Sequence, residues 1–174
     1  MNELLSQILE IAKQCLVKDG CLLPVGFVVR DGEVLQVMPL DKSSPNNVSL
    51  DDKGYNIFLL GAAACLLKAD HVVMIWDAAF KTYPKDTDMQ GLDEYERPLL
   101  YPKSMRTECI IMNSIGLPDG DDETKIVPYK GGDGIPVEWL PDYDMDDSTV
   151  TSRFTKIAQD GYRVAGEKLN KESL

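Results

Sequence analysis

Apolar residues recur at three- and four-residue spacing at the start of the chain, at Leu4, Leu5, Ile8, Ile11, Ala12, Cys15 and Leu16. That period places one apolar stripe on a helix and predicts an amphipathic helix over residues 2–17, closed by Asp19-Gly20. The pattern then changes to strand-like runs over 22–30 and 33–40. Asp31-Gly32 between them favours the positive φ angles of a two-residue turn, so the pair predicts a β-hairpin. Pro24 cannot donate to a sheet ladder and points to an edge or a bulge early in the first run.

Residues 41–52 are rich in Asp, Ser, Pro and Asn and read as a loop, in which Asp51 or Asp52 caps a helix running to about residue 68. That helix is apolar on most faces, which implies burial between other elements. Val72, Val73, Met74, Ile75 and Trp76 then follow one another without a polar break. A strand over 71–78 with both faces covered, and hence a central one, accounts for such a run. Residues 105–115 predict another strand, with 125–129 its hairpin partner across the acidic turn Pro118-Asp119-Gly120-Asp121. A last helix begins after Asp147 or Ser148, with a stripe of Val150, Phe154, Ile157, Ala158, Tyr162, Ala165 and Leu169. Two segments, 80–103 and 130–147, show no clear period. Strands joined as hairpins with few helices between them predict an α+β fold: a largely antiparallel sheet of about five strands, two hairpins plus one central strand, packed by three helices. The 174 residues are read as a single domain.

Composition fits that picture: 44% hydrophobic and 27% charged residues describe a chain that folds. The longest stretch without a charged or strongly polar residue, 57–67, has eleven residues, against about 20 for a membrane-spanning helix. Met1-Asn2-Glu3 puts an acid where a secretory signal carries lysines. The four cysteines, Cys15, Cys21, Cys65 and Cys109, lie in apolar segments without C-x-x-C spacing, the usage of reduced thiols. These features together predict a cytoplasmic protein without membrane association.

Charge is the unusual feature. The net charge is −11, yet residues 118–147 hold ten acids against Lys125 and Lys130, a local net of −8. The rest of the chain is nearly balanced. A direct nucleic-acid binder presents a basic face that displaces phosphate counterions, and no such face is visible.

Few residues suggest chemistry. His71 is the sole histidine, which removes most catalytic triads and histidine-rich metal sites. Cys109 has Arg106 three residues before it, but strand alternation sends the two side chains to opposite faces, so Cys109 reads as core. Asp77, Arg106 and Glu108 are charged residues inside apolar strands, costly to bury unpaired. They are the candidate catalytic group, with Arg106 binding an anion and a carboxylate as base; the bland alternative is an edge ion pair. Asp142, Asp144 and Asp146 match the first three ligand positions of a calcium loop, but Asp147 stands where glycine and Arg153 where glutamate belong. A solvated acidic loop explains them better, and no cofactor is expected. Gly131-Gly132-Asp133-Gly134 lacks the lysine of a phosphate loop.

The leading expectation is therefore an interaction or regulatory protein rather than an enzyme. Tyr83, Tyr101, Trp139 and Tyr143 would anchor a protein partner, and Asp142, Asp144, Asp146 and Asp147 would steer one that is basic, including one that itself binds nucleic acid. The alternatives are a small enzyme built on Asp77, Arg106 and Glu108, and a subunit of a larger assembly joined through the strand edge of the first hairpin; a homo-oligomer is compatible with each.

Overall fold

The structure, a computed structural model, describes residues 1–40, 50–81, 106–132, 135–141 and 149–172. Helix α1 (Asn2–Asp19) is followed by the hairpin β1 (Val25–Arg30) and β2 (Glu33–Pro39), then α2 (Leu50–Leu66) and β3 (His71–Lys81). Strands β4 (Arg106–Gly116), β5 (Asp122–Gly132) and β6 (Ile135–Trp139) form a meander that leads into α3 (Thr149–Glu172). The six strands make one sheet in the order β2-β1-β3-β4-β5-β6, every neighbouring pair antiparallel. The fold is α+β, as the hairpin pattern predicts.

Local chemistry explains the boundaries. Gly20 ends α1 in the left-handed conformation (φ 75°) and donates its N–H to Leu16 O at 2.9 Å, the glycine cap that spares a Cβ the strain of positive φ. Asp31 (φ 53°) and Gly32 (φ 80°) both take positive φ at the β1–β2 turn, matching the right-handed twist of the strands they join. Pro24 lies just before β1, and the register of β1 against β2 shifts between Val28 and Val29.

Among the described residues, one side of the sheet is covered by α1 alone. Leu5, Ile8, Leu9, Ala12 and Leu16 pack over Val29, Val73, Ile75, Ile110, Met112, Val127 and Tyr129. On the other side α2 and α3 cover Val28, Val72, Met74 and Ile115 through Ile57, Leu60, Ala64 and Ala158. The uninterrupted apolar run of β3 is thereby explained: Val73 and Ile75 meet α1, while Val72 and Met74 meet α2 and α3. Each fully buried aliphatic side chain in these layers contributes about 1.5–3 kcal/mol.

Helices α2 and α3 cross closely. A Cβ on Gly61 would overlap the carbonyl oxygen of Ala158, and one on Gly161 would overlap that of Phe58. Small residues at both crossing points let the two backbones touch. Asn56 is buried and donates to Leu40 O at 2.8 Å, fastening the end of the first hairpin to α2.

The stretch 130–147, read from sequence as irregular, includes β6. Its five residues, Ile135-Pro136-Val137-Glu138-Trp139, carry a short alternation hidden by flanking glycines and prolines. Gly131 (φ 101°) and Gly132 (φ 85°) make the shift of register that turns the chain back onto β5. Segment 80–103 falls outside the described residues beyond Lys81.

Candidate functional site

Alternation places Asp77 and Glu108 on the α1 side of the sheet, in line with Ile75, Ile110 and Met112. Asp77 stands opposite Ile110, Glu108 opposite both Ala79 and Tyr129, and Arg106 opposite Lys81. The register thus brings Asp77 and Glu108 into diagonal proximity and sets Arg106 farther along β4. Only the backbone of Arg106 belongs to the described residues.

Asp77 is engaged by a residue that sequence reasoning missed. Tyr129, on β5, reaches across β4 and donates its hydroxyl to Asp77 Oδ1 at 2.8 Å. Its ring is 2% exposed. Burial, the hydrogen bond to Asp77 and the charges of Asp77, Glu108 and Cys109 all push the phenol well above its ordinary range, so it is held as a neutral donor. On the opposite face of β4, Cys109 is 1% exposed. Burial first, then the charges of Asp77 and Glu108, push its thiol up to about 12. A thiol so held is not a nucleophile, and the core reading of Cys109 stands. A signal for Tyr129 did exist: an acid inside an apolar strand needs a donor, and Tyr129 is the one phenol in the neighbouring hairpin.

Trp139, named as a partner anchor, lies on β6 and packs edge-on against Tyr129, ring centroids 5.7 Å apart. Lys13 Nζ from α1 sits 5.2 Å from its ring centroid. Half-buried, it closes the α1 core at the sheet edge. Tyr83, Tyr101, Asp142, Tyr143, Asp144, Asp146 and Asp147 lie outside the described residues. Among the described residues, no group of three or more His, Cys, Asp or Glu side chains is placed to hold a metal ion, and no helix is long and apolar enough to cross a membrane. All four cysteines are free; Cys21 is exposed and Cys15 and Cys65 half-buried.

A second arrangement emerges only in three dimensions. The β1–β2 turn, the α2–β3 junction and the β4–β5 turn stand side by side at one end of the sheet. Asp31 N–H donates to Asp70 Oδ2 at 3.3 Å, and Leu117 N–H donates to Asp70 O at 2.8 Å. Together the three turns bring Asp31, Glu33, Asp70, Asp119, Asp121, Asp122 and Glu123 to one rim. All are exposed except the half-buried Asp70.

The arginines at this rim are already engaged, and Lys68 stands exposed at the α2–β3 junction. Arg30 donates to Leu67 O at 3.3 Å, and Arg163 lies 3.0 Å from Asp160 and 3.9 Å from Asp119. His71 Nδ1 lies 3.3 Å from Asp70 Oδ1, a close approach off the line of a hydrogen bond. Partial burial works to raise the Asp70 carboxyl. The His71 ring and the N–H groups of Asp31 and Asp70 itself outweigh that burial and hold it below its usual value. Helix α3 steadies the β4–β5 turn: Gln159 Nε2 donates to Gly116 O (3.3 Å) and Gly120 O (3.1 Å), and Thr155 Oγ1 donates to Asp122 Oδ2 at 2.6 Å.

Compared with models of protein families, with curated proteins and with solved structures, the chain matches none.

Proposed function

We propose that this is an interaction protein that docks a basic protein partner on the acidic end of its sheet, in the cytoplasm. The carrying observation is the rim itself: seven acids from three turns distant in sequence meet at one end, with the local arginines already bound to carbonyl and carboxylate oxygens. Such a field steers a basic partner and raises its rate of association, increasingly so at low salt. Fixing by α3 keeps the β4–β5 turn in place before binding, which lowers the ordering cost of association. The acids at 142–147 extend the same surface chemistry in sequence, and Tyr83, Tyr101 and Tyr143 would supply its aromatic anchors.

The test is affinity capture from lysate across a salt series with three proteins. These are the wild type, a variant with Asp119, Asp121, Asp122 and Glu123 changed to lysine, and one with Asp142, Asp144, Asp146 and Asp147 changed to lysine. A captured basic protein that is lost from one or both variants, and at high salt from all, supports the reading. A partner retained equally by all three sinks it.

One observation favours a second reading, the small enzyme: Asp77 and Glu108 share a sheet face with a buried phenol that donates to Asp77. On that reading Asp77→Asn abolishes turnover of a small anionic substrate while the fold persists.

A further inference from the structure

The two edges of the sheet are built differently. Strand β6 has five residues, contains Pro136 and Glu138, and meets β5 through an irregular register. Short length, proline, charge and irregularity are the devices that stop an edge from pairing with another chain. Strand β2 has seven residues, with Glu33 and Pro39 at its two ends and one shift of register against β1, but its middle from Val34 to Met38 reads Val-Leu-Gln-Val-Met, with neither charge nor proline. Its outer backbone row has no partner strand among the described residues.

The face beside that edge is also bare. The core under α1 includes residues of β1, β3, β4 and β5 but none of β2. In consequence Val34 is 38% exposed and Val37 56% exposed. In register, Val37 stands beside Phe27 and Val34 beside Val29, both of which belong to the α1 side. Met38, on the other face, is packed against the core under α2 and α3. Val34 and Val37 thus form an uncharged apolar shelf along the uncharged middle of the β2 edge.

Charge selects the occupant. A basic partner is drawn to the acidic rim and gains nothing from a shelf without acids. A second copy of this chain brings its own net charge of −11 and can approach only where acids are absent. Within β1, β2 and their turn, the charges are Arg30, Asp31 and Glu33, all at the turn end. Two β2 strands paired antiparallel about a twofold axis set those turn ends at opposite ends of the contact. Seven residues at about 3.3 Å each separate them by roughly 20 Å, well beyond the screening length of about 8 Å at physiological salt. Parallel pairing would bring the like turns together. The twofold arrangement also closes on itself, and the guarded β6 edge prevents further growth.

We propose that β2 is the contact strand of a homodimer, in which two sheets join edge to edge about a twofold axis beside Gln36, so that Val34 of each copy meets Val37 of the other. This is independent of the basic partner, since residues 34–38 carry the contact and the turns carry the acidic rim, with Glu33 alone belonging to both β2 and the rim.

Sedimentation velocity on the purified full chain over a concentration series tests it, with Val37→Lys and, on the guarded edge, Ile135→Lys, a residue 57% exposed. The wild type and Ile135→Lys should show a mass that doubles with concentration. Val37→Lys should stay monomeric, with a urea midpoint equal to that of monomeric wild type. A second measurement uses Gln36→Cys: mild oxidation should link position 36 to position 36 of the second copy, located by peptide mass spectrometry. The proposal is overturned by a monomeric wild type at every concentration, by a Val37→Lys dimer, or by a lowered midpoint in monomeric Val37→Lys, which would mean that the chain itself covers the shelf.

Discussion

Replacing Gly61 by alanine asks whether the crossing of α2 and α3 is set by backbone contact. Besides overlapping the Ala158 carbonyl oxygen, the new Cβ would stand 2.8 Å from its carbonyl carbon and 3.1 Å from its Cα. These atoms cannot rotate away, so the helices must part. Gly161→Ala presents the same problem, with Phe58 C at 2.9 Å and Ala62 N at 3.2 Å. Two effects of opposite sign compete. Alanine is favoured over glycine in a helix interior by about 1 kcal/mol. Forcing a carbon into a packed contact costs roughly 1–3 kcal/mol, and more where the obstacle is rigid. Parting the helices also loosens Leu60, Ala64 and Ala158, each 0% exposed. The net expectation is a loss of about 2 kcal/mol per substitution, which lowers Tm by roughly 4–8 °C in a chain of this size. Gly54→Ala and Gly166→Ala are internal controls, because there the Cβ would lie 3.8 Å from Ile157 Cδ1 and 3.5 Å from Cys65 Sγ, ordinary contact. With propensity acting alone, each should stabilise by roughly 0.4–1 kcal/mol. The double variant Gly61→Ala/Gly161→Ala should cost less than the sum, since the first change already separates the helices. Urea denaturation followed by circular dichroism reads every midpoint. A Gly61→Ala midpoint that rises as that of Gly54→Ala does would refute the close crossing.

At high pH the raised Tyr129 and Cys109 groups make the protein alkali-sensitive. Each contributes stability that is fully present below its unfolded pKa and is lost above it, at about 1.4 kcal/mol per pH unit per group until the folded pKa is reached. Tyr129→Phe should remove the tyrosine share of that loss above about pH 10 and cost about 1 kcal/mol at neutral pH for the bond to Asp77; an unchanged alkaline limb would contradict this. Asp70 runs the other way: its lowered pKa contributes stability present above the unfolded value of about 3.9 and lost as pH falls through the folded value. Asp70→Asn should therefore flatten the acid limb of a thermal-stability profile below about pH 4. Gln159→Ala removes two donations to the β4–β5 turn and should cost about 1 kcal/mol. On the docking reading it also slows association with the basic partner, measurable by surface plasmon resonance.

Much of the architecture is legible from local pattern. The Asp31-Gly32 turn, the stripe of α1 and the unbroken run of β3 each follow from chemistry within one segment. Strand β6 is hidden because five residues between glycines and prolines offer too short an alternation to register. The candidate sites are less legible, for a physical reason. Asp77 sits three residues from Phe80 in sequence, but its hydroxyl donor, Tyr129, is two strands away. The acidic rim depends on strand order, since Asp31 and Asp119 come to the same end of the sheet only once β1 pairs with β3 and β3 with β4. Sequence shows the acids of 118–147 as one block, whereas the fold shares the rim among three turns.

Strand β3 takes both partners from far along the chain. Strand β1 lies on the other side of α2, and β4 follows a connection of 24 residues, whereas β1–β2, β4–β5 and β5–β6 close over short turns. Short hairpins form in about 1–10 μs, so the first hairpin and the β4–β5–β6 meander are each able to appear early. Strand β3 has no local partner and gains its hydrogen bonds only when those two pieces are brought together, after the entropy of both loops has been spent. Folding speed is thus governed by the strand that looks most secure in the finished sheet.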